Sequence, residues 1–168
     1  MKASHLVTRI LFVGLTILGL FIHVLTFVGY DPRELSLGLW WGLHFASALS
    51  LILGLVTFGL KKPVSPLAST WSPDKVLALC FVLFMVYAAF NFGFTGIVLL
   101  HNASPAIVDG HYAFGSHGMF RPISKEEYMK YMVYEARLHS GHWMAFFLFA
   151  LVALRRRQTR VAAAPHDD

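Results

Sequence analysis

The chain has 168 residues, of which 57% are hydrophobic and only 14% are charged. This composition is too apolar for an ordinary water-soluble domain, so lipid must solvate most of the apolar side chains. The net charge of +5 does not require a nucleic-acid partner, because much of it lies beside long apolar runs, where Lys and Arg meet lipid headgroups. We expect an integral membrane protein whose main partner is the lipid bilayer, with no nucleic acid bound.

Four apolar runs are long enough to cross a membrane as helices. Short loops and alternating directions favour an all-α, antiparallel bundle of four transmembrane helices, with spans at residues 9–28, 37–60, 76–100 and 138–154. We expect one membrane domain over residues 1–157. The small and polar residues 158–168 predict a disordered cytoplasmic tail.

Polar residues mark the starts of two helices. Asp31 is followed by Pro32 and, three positions on, by Glu34, a capping box that predicts the start of the second helix. Ser124 and Glu127 form a similar pair before the fourth helix. Because the apolar part of that helix begins later, we expect it to project from the membrane before entering it.

Residues 101–123 form the one sizeable loop outside the apolar pattern. Within it, the segment 112–120 carries small and turn-forming residues between short apolar runs, which favours a small hairpin. We interpret this outer loop as a candidate docking surface for other membrane subunits.

The distribution of Lys and Arg predicts the orientation of the chain. The two termini and the loop between the second and third spans hold nine basic residues: Lys2, Arg9, Lys61, Lys62, Lys75, Arg155, Arg156, Arg157 and Arg160. The opposite side holds fewer: Arg33, Arg121, Lys125, Lys130 and Arg137. By the positive-inside rule both termini should be cytoplasmic, and we assign the chain to a bacterial inner membrane.

Histidines on three of the spans fall at one depth. Counting about 1.5 Å per helical residue from the cytoplasmic anchors places the following side chains about 20 to 26 Å deep: His23, His44, Asn91, His139 and His142. Each lies on a stripe of small or polar residues, and such stripes face a bundle interior. Small residues four positions apart should allow close helix approach, at Gly38 with Gly42, Ser50 with Gly54 and Ala89 with Gly93.

Imidazole is a common ligand for haem iron, copper and zinc, so we interpret the four span histidines as a cofactor site with a redox or electron-transfer role. His23 or His44 opposite His139 or His142 would suit haem b. Three or four converging imidazoles would suit copper or zinc instead, with Asn91 and Glu135 supporting the ligands.

The alternative is a non-enzymatic accessory or assembly subunit of a membrane complex. In that case the same histidines serve only as hydrogen-bonded packing. The sequence contains no Gly-rich phosphate loop, no serine in a nucleophile elbow and no paired catalytic carboxylates. It therefore gives no basis for a hydrolase or a kinase, and other enzyme classes remain open.

Overall fold

A computed structural model describes residues 3–59 and 73–162. Its four long helices are α1 (Ala3–Phe27), α2 (Leu37–Gly59), α3 (Pro73–Gly93) and α4 (Lys125–Ala162). A π-helical turn, Phe94–Leu99, continues α3. Each of the four helices is long and apolar enough to cross a membrane, as an integral membrane protein requires. The linker between the second and third spans lies outside the described residues.

The helix α4 is the centre of the bundle. It packs against α1, α2 and α3, whereas these three helices hardly approach one another. Within the most apolar window of each helix, 56% of the α4 window is buried, compared with 28% for α1, 28% for α2 and 17% for α3. The hydrophobic core accordingly forms along α4, from Phe12, Ile22, Trp40, Leu43, Ala136, Trp143, Phe147 and Ala150.

Side-chain contacts give the relative directions of the helices. Along α1, Gly19 lies beside Met144 and His23 beside Ser140, so α1 and α4 run antiparallel. The helix α3 is also antiparallel to α4, since Phe81 stacks on Phe149 while Asn91 bonds to the carbonyl of Arg137. The contacts of α2 run parallel to α4, from His44 with His139 to Gly54 with Phe149. The predicted alternation of directions is therefore present.

Glycines allow the closest helix contacts. A methyl group added at Gly54 would overlap the ring of Phe149, and one added at Gly141 would overlap the amide of Asn91. The predicted pair Ser50 and Gly54 therefore lies at a helix contact. The other two predicted pairs do not, since Gly42 and Gly93 have open space beside them.

The start of α2 differs from the prediction. The carboxylate of Asp31 accepts a hydrogen bond from the Arg33 amide, but it caps a separate 3₁₀ turn, Pro32–Glu34. The hydroxyl of Ser36 accepts from the Leu39 amide at 3.2 Å and so caps α2 itself. The prediction was wrong because two polar caps stand close together and the proline favours the first.

The loop between α3 and α4 folds into an antiparallel sheet in the order β1 (Ser104–Val108), β2 (His111–Ser116), β3 (Met119–Pro122). The predicted hairpin is confirmed as β2 and β3, and the sheet adds the strand β1, which was not predicted. Both connections are two-residue turns with positive φ, at Asp109 and Gly110 and at His117 and Gly118. Such mirror-image turns match the twist of paired strands.

The fourth helix begins and ends beyond its apolar part. At its start the predicted capping box is confirmed, since Ser124 and Glu127 exchange hydrogen bonds of 3.0 and 3.1 Å. The sheet packs on the first part of α4, where Phe114 stacks on Tyr131 at 4.0 Å. At its end α4 continues to Ala162, so the first residues of the predicted disordered tail are helical. Arg and Gln favour helix, and no Gly or Pro interrupts them before that point.

Replacing Gly54 with Ala should lower the free energy of unfolding by about 1–3 kcal/mol, because the new methyl group overlaps the Phe149 ring and separates α2 from α4. Thermal unfolding in mild detergent, followed by circular dichroism, measures the change. The matched control is Gly42→Ala on the same helix, where space is open and the higher helix propensity of Ala should leave stability unchanged or slightly raised. Equal stability of the two variants would contradict the close contact.

Candidate functional site at the histidine layer

In the predicted polar layer, His23, Asn91 and His44 lie on the faces of α1, α3 and α2 that contact α4. His139 and His142 belong to α4 itself. His23 and Asn91 are buried, while His44, His139 and His142 are half-buried. The four imidazoles do not form one cluster. Within residues 3–59 and 73–162, no three His, Cys, Asp or Glu side chains lie close enough together to hold a metal ion. The histidines instead occupy three separate environments.

His23 of α1 points between α3 and α4, and both of its ring nitrogens are hydrogen-bonded. Its Nδ1 is 2.8 Å from the Ser140 hydroxyl, and its Nε2 bonds to the Tyr87 hydroxyl. The Ser140 hydroxyl donates to the Arg137 carbonyl at 3.3 Å, so it accepts from Nδ1–H, and Nε2 then accepts from Tyr87. A neutral imidazole satisfies this network completely and has no lone pair left for a metal. Ser140 is fully buried, and its hydroxyl is engaged in this network.

His142 faces α3. Its Nδ1–H donates to the Leu138 carbonyl of its own helix at 2.7 Å, and its ring meets the edge of Phe92 at a centroid distance of 5.1 Å. The hydrogen bond fixes the tautomer and leaves Nε2 as an acceptor. The described surroundings place an aromatic ring, and not a second imidazole, directly against it.

His44 and His139 contact each other across α2 and α4, and we call them the histidine pair. Their ring centroids are 4.9 Å apart, with the planes inclined by 58°. The Nδ1–H of His44 donates to the Trp40 carbonyl at 3.1 Å, which leaves Nε2 with a free lone pair. The part of the chain that the structure describes gives neither nitrogen of His139 a hydrogen-bond partner. Among the described histidines of the layer, only His44 and His139 have their rings in contact.

Two tryptophans hold the histidine pair in place. Trp40 and Trp143 meet at a centroid distance of 4.7 Å, and each lies 4.8 Å from His44. Both indoles are buried, so they form a rigid apolar wall beside the imidazoles. Neither tryptophan is among the residues predicted for the site. Their spacing from the histidines, four residues before His44 and four after His139, was the available signal.

Asn91 and Glu135 do not support the imidazoles in the predicted way. The Asn91 amide donates to the Arg137 carbonyl at 3.0 Å, and its oxygen accepts from Thr95 at 3.2 Å. Glu135 accepts from Arg33 at 2.8 Å. Among the described residues neither side chain bonds to a histidine. The predicted depth of Asn91 and the spacing of Glu135, one turn before His139, could not give the direction of either side chain around its helix.

Arg33 fastens the turn after α1 to α4. Its guanidinium donates to Asp31 and to Glu135, both at 2.8 Å, and to the Met132 carbonyl. It also lies over the Trp40 ring, 5.2 Å from the centroid. Burial works to lower the pKa of Arg33, but the hydrogen bonds and charges of Asp31 and Glu135 outweigh it and raise that pKa. Arg33 thus holds the Trp40 ring, which in turn lies against His44.

Comparisons with protein-family models, with curated proteins and with solved structures give no match to this chain. Its function is therefore inferred from the side chains alone.

Replacing His23 with Leu should lower the free energy of unfolding by about 1–3 kcal/mol, because Tyr87 and Ser140 lose their buried hydrogen-bond partner. Thermal unfolding in detergent measures the loss. His111→Leu is the matched control, since His111 is exposed at the start of β2. A His23 variant as stable as this control would show that the network contributes nothing.

Proposed function

We propose that the chain is a bacterial inner-membrane protein, with both termini cytoplasmic, that binds a copper or zinc ion at the histidine pair. Bound copper would give the site a redox or electron-transfer role, whereas zinc would not, because zinc has no redox chemistry. The distribution of Lys and Arg supports this orientation, and the four apolar helices support the membrane location.

The observation that carries the proposal is the spacing of His44 and His139. Metal–imidazole bonds are about 2.0 Å long, so two imidazoles on one ion at a tetrahedral angle have ring centroids about 5 Å apart. The observed centroid distance is 4.9 Å. His44 also has the orientation that metal-binding histidines commonly show, with Nδ1–H on a backbone carbonyl and Nε2 free.

The same spacing argues against haem b between these two rings. With imidazoles on opposite sides of an iron at a similar bond length, the centroids would lie about 6 Å apart, and the macrocycle would need a wide apolar slot. Trp40 and Trp143 fill the space beside the pair. Haem would require α2 and α4 to separate, so we favour a metal ion.

Two imidazoles leave open positions on a tetrahedral ion, and the described side chains bury both rings only in part, so further ligands could reach the ion. The proposed site is thus of the open type. Structural metal sites, by contrast, have four protein ligands and are closed. An open position suits a metal that is exchanged with a partner or that reacts.

The test is to measure metal content and affinity of the protein purified in mild detergent, by elemental analysis and by competition with a chelator for copper and for zinc. The wild type should bind one equivalent of one of these metals. His44→Gln and His139→Gln should each weaken binding by at least about tenfold, because each removes one of two ligands.

His142→Gln and His23→Gln are the matched controls, and they should keep the metal. Loss of metal in all four variants would instead support the four-histidine site predicted from the sequence. A wild type that binds neither metal, but is fully helical by circular dichroism, would overturn the proposal.

A second candidate function is the accessory or assembly subunit. The complete hydrogen bonding of His23 favours it, because that histidine acts as packing and not as a ligand. Under this reading His44→Gln and His139→Gln fold normally without any metal. Other subunits of the complex would then dock at residues 101–123, which include the sheet.

A further inference from the structure

A groove opens where α1 ends, between that helix, the turn that follows it and the first part of α4. Its volume is about 420 Å³. Phe27 and Val133 line its apolar side, and its charged residues are Arg137, Lys130, Glu34 and Asp31. The groove therefore combines charge with apolar surface at the end of the first apolar span.

Arg137 carries a half-buried positive charge with no carboxylate partner among the described residues. Its Nη2 donates to the Thr26 carbonyl at 2.7 Å, its Nε lies 3.4 Å from the Thr26 hydroxyl, and the guanidinium lies 4.3 Å from the Phe27 centroid. These contacts use two of the five N–H groups of an arginine. Within the described chain, the remaining N–H groups have no partner.

Lys130 adds a second cation on the same side of α4, two turns before Arg137. Its ammonium lies 5.8 Å from the Tyr134 centroid and forms no salt bridge with a described carboxylate, although Glu127, one turn before it, interacts with its charge. Asp31 pairs with Arg33, which it shares with Glu135, and Glu34 has no ion pair among the described residues. The lining thus carries two cations and two carboxylates, and its basic side, formed by Arg137 and Lys130 on α4, is the part that suits an anion.

We propose that this groove binds the phosphate of an anionic phospholipid, with the guanidinium of Arg137 and the ammonium of Lys130 on the phosphate oxygens. Arginine forks and lysine ammonium groups are common phosphate ligands, and basic pockets between transmembrane helices bind acidic headgroups. The acyl chains have an apolar surface to follow, because Val24, Phe27 and Val28 are 52%, 57% and 75% exposed. The lipid site does not depend on the proposed metal site.

The test compares lipid binding to the full chain by native mass spectrometry from detergent, with phosphatidylglycerol, phosphatidylcholine and inorganic phosphate as probes. Phosphatidylglycerol should bind with a stoichiometry of one and phosphatidylcholine much more weakly. Lys130→Gln should weaken phosphatidylglycerol binding by about fivefold, as expected for one basic residue near an acidic headgroup. Lys130 makes no described hydrogen bond, so this variant should fold normally.

Lys125→Gln is the matched control, with the same charge change on the same helix but outside the groove. Arg137→Gln should weaken binding further and also destabilise the end of α1 through its loss of the Thr26 contact. Competition by inorganic phosphate at equal concentration would support an anion site and reject lipid as its source. Equal binding of the two lipids, or equal effects of the Lys130 and Lys125 variants, would overturn the proposal.

Discussion

The packing of one helix against three others determines the rest of this structure. The helices α1, α2 and α3 hardly approach one another, so each depends on α4 for its buried contacts. Gly19, Gly54 and Gly141 make those contacts close, and substitution at Gly54 would force a ring of α4 outward. A single helix can satisfy three neighbours only if it is buried on most of its surface, and α4 is the most buried of the four.

This central position explains why the polar layer does not close into one site. The stripe on α2 faces α4 and not the stripes on α1 and α3, which meet each other where His23 bonds to Tyr87. His23 also meets Ser140 of α4, and His44 meets His139 of the same helix. In a square bundle the four imidazoles would share one interior space, whereas here α4 itself fills that space. The histidine pair is the part of the layer where two imidazoles meet, and it is where we propose a metal ion.

The sequence predicted the features that depend on local chemistry. The four spans, the cap at Ser124 and the hairpin follow from apolar runs, a capping box and turn residues, and the structure contains all three. Features set by long-range packing could not be predicted in this way. The strand β1 shows its pairing only once β2 is placed, and the partner of Glu135 is Arg33, more than one hundred positions away in the sequence.

The order of synthesis gives the central helix a further importance. The helix α4 is translated after the other three, yet it supplies the partners of polar groups on those earlier helices, such as Ser140 for His23 and the Arg137 carbonyl for Asn91. In hydrocarbon an unsatisfied polar group costs several kcal/mol. The first three spans are therefore poorly suited to free release into lipid before α4 arrives. A fault in α4 would leave polar groups on the earlier helices without their partners.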